Sequence, residues 1–177
     1  MIGMMPMELV VYPSNHLVAK NQKIDAWTPD IAARVAEMRK VMEKSDGIGI
    51  AAPQVGWNVQ LFILGIPAPN DGEVVTRVVW NPEVETSGDL VPMPEGCLSF
   101  PGIRASVPRW TRARLRGRTP EGLLDEVFVG VAAQAVQHEM DHIEGLLFIE
   151  KMTPADRMRV APILRELAEK SFPQKKH

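Results

Sequence analysis

The sequence predicts an α+β fold, with mainly antiparallel β-sheet around a central helix and a further helix toward each end of the chain. Three observations carry that expectation. Apolar residues recur at helical spacing after Thr28, again after Gly130 and again after Thr153. Short β-branched runs fill the stretch between the first two helices. Gly, Pro, Asn and Asp punctuate those runs, as turns require.

The elements follow in order. Tyr12-Pro13-Ser14-Asn15 is a turn signal. Thr28-Pro29-Asp30 opens the first helix, with Thr as N-cap and Pro in the first turn. Ile31, Val35, Met38 and Met42 form its apolar stripe, and Ser45-Asp46-Gly47 ends it. Residues 60–66 and 74–81 read as two strands of a hairpin, joined through Pro67, Pro69 and Asn70-Asp71-Gly72. Residues 84–86, 103–107, 111–118 and 123–129 read as further short strands. A helix over 130–144 stops at Gly145. Thr153-Pro154-Ala155-Asp156 opens a last helix to about 170, with a bend expected at Pro162.

The bulk numbers narrow the class. A chain of 177 residues is expected to form one domain over 1–177, with a core large enough to need no staples. A net charge of −2 gives no general pull toward DNA or anionic membrane, and neither is expected as a partner. No apolar run approaches a membrane span. Cys97 is the single cysteine, so no intrachain disulfide can form. With no signal-like N-terminus, that favours a reducing, cytoplasmic location. Residues 175–177 read as a frayed tail.

Residues 138–142, His-Glu-Met-Asp-His, are the most informative stretch. On a helix, positions four apart project about 40° from each other, so His138 and His142 share a face that can hold one divalent metal. Glu139 projects to the side, placed to act as a general base without ligating. On a helical wheel Val131, Ala135, His138 and His142 form one stripe. Ala132, Ala133, Val136, Met140 and Ile143 lie opposite, so the helix should be sandwiched and its histidines buried. Buried imidazoles need partners, and a metal supplies them. Asp141 reads as a polar-face residue, with an acceptor supporting the metal ligands as the alternative.

A catalytic site of this type takes three protein ligands and keeps one open position. Cys97, in Pro94-Glu95-Gly96-Cys97-Leu98-Ser99, is one candidate third ligand. Free cysteines are also common as small buried hydrophobes, and Glu150, Glu166 and Glu169 are downstream alternatives. A further glycine-rich stretch covers residues 47–56. It lacks the spacing of a phosphate loop and reads as backbone approached closely by a ligand or strand. Gln54 within it could donate to an oxyanion, or simply pack in a tight loop.

Taken together, Gly-Ile-Gly-Ile-Ala-Ala-Pro-Gln (47–54), Glu-Gly-Cys-Leu-Ser (95–99) and Gln-His-Glu-Met-Asp-His (137–142) resemble the three motifs of the peptide deformylases. The resemblance implies hydrolytic removal of the N-formyl group from the initiator methionine of nascent chains, releasing formate. It implies that Cys97, His138 and His142 bind one divalent metal, Fe2+ in the cell and Zn2+, Ni2+ or Co2+ as isolated. It implies that Glu139 is general base and then acid, and that Gln54 and the Leu98 N–H hold the oxyanion. The peptide would add as a β-strand along Ile48, Gly49 and Gly96. Val131, Gln134 and Ala135, with Ile48 and Met93, would wall the methionine pocket. Arg104 would stand on the substrate side, or be a solvated strand charge. Glu95 would pair with Arg109 as a support.

Alternating Arg112, Arg114, Arg116 and Arg118 put four cations on one strand face. Such stripes commonly protect sheet edges; a ribosomal RNA contact is the sharper expectation. Two rival functions remain at this level, a zinc endopeptidase and a metal-stabilised peptide-binding module. The first would use a downstream acid rather than Cys97, and the second would not need both Glu139 and Gln54.

Overall fold

In the computed structural model of the chain, residues 7–67 and 73–171 are described. The turn expected at 69–72 and the tail at 175–177 lie outside them. Five strands form one antiparallel sheet in sequence order: β1 (Gly49–Ala51), β2 (Leu61–Pro67), β3 (Val74–Gly96), β4 (Arg104–Thr119) and β5 (Gly122–Val129). Each strand pairs with the next along the chain, which leaves β1 and β5 as the edges.

Helices cover both faces of the inner strands, and the alternation in β2 shows how. Phe62, Leu64 and Ile66 join Ala133, Val136 and Ile143 of α2 (Gly130–Glu144). Leu61 and Ile63 join Val35, Met38 and Met42 of α1 (Pro29–Lys44). A strand buried on both sides reads as an unbroken apolar run rather than as alternation, which is what Leu61-Phe62-Ile63-Leu64 is. α1 is capped as expected, with Thr28 Oγ1 accepting the Ile31 N–H at 3.3 Å. α2 ends at Gly145, whose φ of 73° is the left-handed conformation of a helix stop.

α3 (Pro154–Ser171) contributes Val160 to a third cluster with Leu17, Phe100, Val107, Phe148 and Met152. It runs on through Pro162 as a single helix. Asp156 in its first turn accepts the Ser106 N–H of β4 at 3.1 Å, and Arg159 donates to the Arg104 carbonyl at 2.7 Å. These bonds dock the helix on the start of β4.

The hairpin formed by β2 and β3 agrees with expectation. The separate short strands do not. Residues 74–81 and 84–86 belong to one strand that runs to Gly96, and 103–107 and 111–118 merge into β4. The pairing shifts register between Trp80 and Glu83 and again between Ser87 and Leu90. Pro82 and Gly88 lie at those points, so the turn-forming residues make bulges in a continuous strand instead of ending it. The two glycine-containing loops also need correction. Residues 49–51 are an edge strand followed by a 3-10 turn over Ala52–Val55, and β3 reaches Gly96 so that Cys97 is the first residue beyond it.

Candidate metal centre

Cys97, at the end of β3, and His138 and His142, one turn apart on α2, converge from two elements. Their ligand atoms all lie within 4.8 Å of one another. Cys97 Sγ is 3.3 Å from His142 Nε2. The helix is sandwiched as its wheel requires, and both histidines are buried.

Glu95 fixes the imidazole of His138, its Oε1 lying 2.6 Å from Nδ1. Burial alone would raise the Glu95 carboxyl, but hydrogen bonds from Arg109 and His138 outweigh it and bring it down to about 2. An ionised carboxylate can only accept, so His138 Nδ1 donates and Nε2 is left as the ligating nitrogen. Arg109 grips Glu95 through Nε at 2.8 Å and Nη2 at 2.7 Å, and its Nη1 reaches Asp141 at 2.7 Å. The expected Glu95–Arg109 pair is therefore present and buried. Asp141 takes the alternative role, that of a buried acceptor, rather than the polar-face one. Packed under β4, it is only 6% exposed and accepts from both Arg109 and Lys151. Helical periodicity cannot see this, because both partners come from other elements.

Glu139 is 3% exposed, and its Oε2 has no hydrogen-bond partner among the described residues. Burial pushes its carboxyl up to about 7, with Glu95 and Asp141 adding to the rise against the pull of His138 and Arg109. Gln54 is equally enclosed. Its Oε1 accepts the Ala51 N–H at 2.8 Å, which turns Nε2 toward Cys97 Sγ at 3.5 Å and Ser99 Oγ at 3.2 Å. Leu98 meets the glycine stretch from the other side: a Cβ on Gly47 would lie 2.8 Å from its Cδ1.

The residues present fit a metal. A thiol and two imidazoles are a donor set for a borderline or soft divalent ion with an open position. Burial disfavours a positive charge on His138, yet Cys97, Glu95 and Glu139 around it push its pKa well up. Glu139 Oε2 is a buried polar atom with no hydrogen-bond partner among the described residues, and such an atom calls for an occupant.

The residues expected on the substrate side are more dispersed. Gly49 pairs with Leu64 on β1, whose outer edge is open, and Ile48 beside it is exposed. Gly96 pairs with Arg104 next to Cys97, and the Arg104 side chain is exposed. Met93 pairs with Val107 further back on β3. Ala135 is buried, whereas Val131 is 66% exposed in the first turn of α2. Gln134 is buried, its Nε2 donating to Pro94 O at 2.9 Å and Glu95 Oε2 at 3.3 Å. Sequence reasoning did not single out Asn21. Its Nδ2 donates to the carbonyls of His142 and Ile143 at 3.1 and 2.9 Å. A lone loop asparagine gives no signal of that.

The family profile described as polypeptide deformylase matches residues 6–158, which hold all three motifs. The chain belongs to the polypeptide deformylase family. Members are metal-dependent, and the triad described above is a cluster that could hold a metal ion here. The chain is 43% identical over 150 residues to the chloroplastic/mitochondrial peptide deformylase 1B of Arabidopsis thaliana, covering 84% of this chain and 55% of that relative. Against peptide deformylase 1B of Solanum lycopersicum it is 41% identical, covering 84% of this chain and 53% of the relative. It spans about half the length of these two plant relatives. The peptide deformylase of Thermodesulfovibrio yellowstonii is 33% identical over 96% of this chain and 98% of its own. A plant peptide deformylase crystal structure superposes with a TM-score of 0.88 at 39% identity, covering 97% of this chain and 94% of that one. No helix among the described residues is long and apolar enough to cross a membrane.

Proposed function

We propose that the chain, acting as one catalytic unit, hydrolyses the N-terminal formamide of formyl-methionyl peptides, giving formate and a free amine. The observation that carries this reading is the convergence of Cys97, His138 and His142 beside a buried Glu139 with an unpartnered oxygen and a Gln54 amide aimed at the same point. Cys97, His138 and His142 would hold a divalent ion, Fe2+ in the cell, with Zn2+, Ni2+ or Co2+ able to substitute. When bound, the ion polarises the formyl carbonyl and makes water acidic enough to be a nucleophile.

The protein's own groups do the rest. Glu139 takes the proton of the attacking water, a role suited by a carboxyl poised near neutrality. Gln54 Nε2 and the Leu98 N–H donate to the oxygen that becomes negative as the carbon turns tetrahedral. Glu139 then returns its proton to the leaving nitrogen. The open edge of β1 at Ile48 and Gly49 and the backbone at Gly96 offer hydrogen bonds to an extended peptide. In this reading Ile48, Met93, Val131, Gln134 and Ala135 shape the methionine pocket, and Arg104 flanks it.

Cys97 beside the histidines favours this reaction over an endopeptidase, and Glu139 with Gln54 favours it over a catalytically silent binding module. Formate release from formyl-Met-Ala, compared with acetate release from acetyl-Met-Ala, tests the reading. The formyl peptide is cleaved and the acetyl peptide poorly. Glu139→Ala keeps the metal and loses turnover; normal turnover in that variant rejects the assigned base.

Substrate emerging from ribosomes goes with cytoplasmic action. Arg114 pairs with Asp125 at 2.7 Å and Arg116 pairs with Glu85, so the arginine face carries less free charge than its alternation implies. Among the described residues Arg112 and Arg118 form no ion pair, and the ribosome contact is proposed through these two. Reversing both charges should reduce co-sedimentation with ribosomes; unchanged co-sedimentation removes the contact.

A further inference from the structure

A chain of alternating charges runs from the surface to a metal ligand. Lys151 Nζ meets Asp141 Oδ1 at 2.5 Å, and Asp141 Oδ2 meets Arg109 Nη1 at 2.7 Å. Arg109 Nε and Nη2 hold Glu95 at 2.8 and 2.7 Å, and Glu95 Oε1 accepts from His138 Nδ1 at 2.6 Å. Asp141, Arg109 and Glu95 are buried, whereas the Lys151 side chain is 36% exposed. Lys151 directly follows the 3-10 turn Phe148–Glu150, which none of the three motifs includes.

We propose that Lys151 is a positioning residue for the metal ligand His138, acting through Asp141, Arg109 and Glu95. The proposal rests on the metal-dependent reading above. Asp141 lies in the last turn of α2, where the helix dipole disfavours an anion. With Lys151 present, two cations share that load. Without it, Arg109 is the single cation between two buried carboxylates. Its guanidinium is a rigid fork, so movement of Nη1 toward Asp141 withdraws Nε and Nη2 from Glu95. Glu95 Oε1 serves both Arg109 and His138. A looser carboxylate therefore leaves the imidazole less firmly aimed, and partners that aim metal-bound histidines control how tightly the ion is held.

The test loads the full chain with Co2+ and follows two readouts, the thiolate-to-cobalt absorption and the rate of cobalt release to a chelator. Removing a direct partner of a ligating histidine costs about 10- to 100-fold in metal affinity. Lys151 acts from further out, so Lys151→Met and Lys151→Gln are expected to speed release on the order of 5-fold. Lys151→Arg, which keeps the charge, restores the wild-type rate. Wild-type release and an unshifted absorption band in either neutral variant overturn the proposal. So does a lowered unfolding temperature with unchanged release, because a purely structural lysine would give that result. Wild-type chain that takes up cobalt without thiolate absorption instead sinks the metal-site reading itself, and this inference with it.

Discussion

A Cβ placed on Gly49 would fall 2.4 Å from Glu139 Oε1 and 3.0 Å from its Cδ. The edge strand therefore presses its bare backbone against the carboxylate assigned as general base. Glycine here gives close approach rather than an unusual turn, since β1 is ordinary extended strand. The other carboxylate oxygen, Oε2, has no hydrogen-bond partner among the described residues.

Gly49→Ala must displace either β1 or the Glu139 carboxylate. Displacement of a reacting group by about 1 Å can cost on the order of 100-fold in rate. The variant is expected to bind metal as the wild type does while losing about that factor in kcat/KM for formyl-Met-Ala. Full activity in a metal-replete Gly49→Ala protein would show that the carboxylate position is not what limits the reaction.

Gln54 makes a different demand. Its amide is oriented by the Ala51 N–H, and its donor side faces Cys97. If that donor stabilises developing negative charge, Gln54→Ala should lower kcat by about 100- to 1000-fold with little change in KM. A variant in which only KM rises would assign Gln54 to peptide binding.

Arg109 bears on stability. It is 2% exposed and neutralises Glu95 and Asp141 together. Removing one member of a buried ion pair leaves uncompensated charge and costs about 3–5 kcal/mol. Arg109→Leu is expected to lose stability on that scale in urea unfolding of the metal-loaded protein. A loss below about 1 kcal/mol would mean that water reaches these carboxylates.

The sequence shows best what repeats or what chemistry concentrates. Thr28-Pro29 and Gly145 mark helix ends because caps are local, and His138 with His142 mark a shared face because helical spacing is local. The merging of short strands into β3 and β4 was not visible, since Pro82 and Gly88 act as breaks or as bulges depending on whether a neighbouring strand holds the chain on both sides. Cys97 could not be separated from the downstream acids by residue reading alone; the three-motif resemblance favoured it. Asn21 and Lys151 give no signal in the sequence, and the acceptor role of Asp141 ranks there below a plain polar face, for one physical reason. Their partners lie on other elements, and no periodicity encodes a contact between a helix and a distant strand or loop.

The docking of α3 supplies a pH-dependent test away from the metal. Hydrogen bonds from Arg159, and then from the Ser106 N–H, hold the Asp156 carboxyl below its ordinary value. A carboxyl lowered on folding contributes stability that is fully present above its unfolded pKa of about 3.9 and is lost as pH falls through the folded value. Asp156→Asn keeps an acceptor for Ser106 but removes the charge that pairs with Arg159. The difference in melting temperature between wild type and this variant should therefore be constant near neutrality and shrink as the buffer is taken below about pH 4. A falling protection factor of the Ser106 amide against hydrogen exchange over the same acid range in the wild type would place the change at the α3–β4 contact. A melting difference that stays constant down to the acid limit of folding would mean that Asp156 docks the helix by shape and neutral hydrogen bonding, without help from its charge.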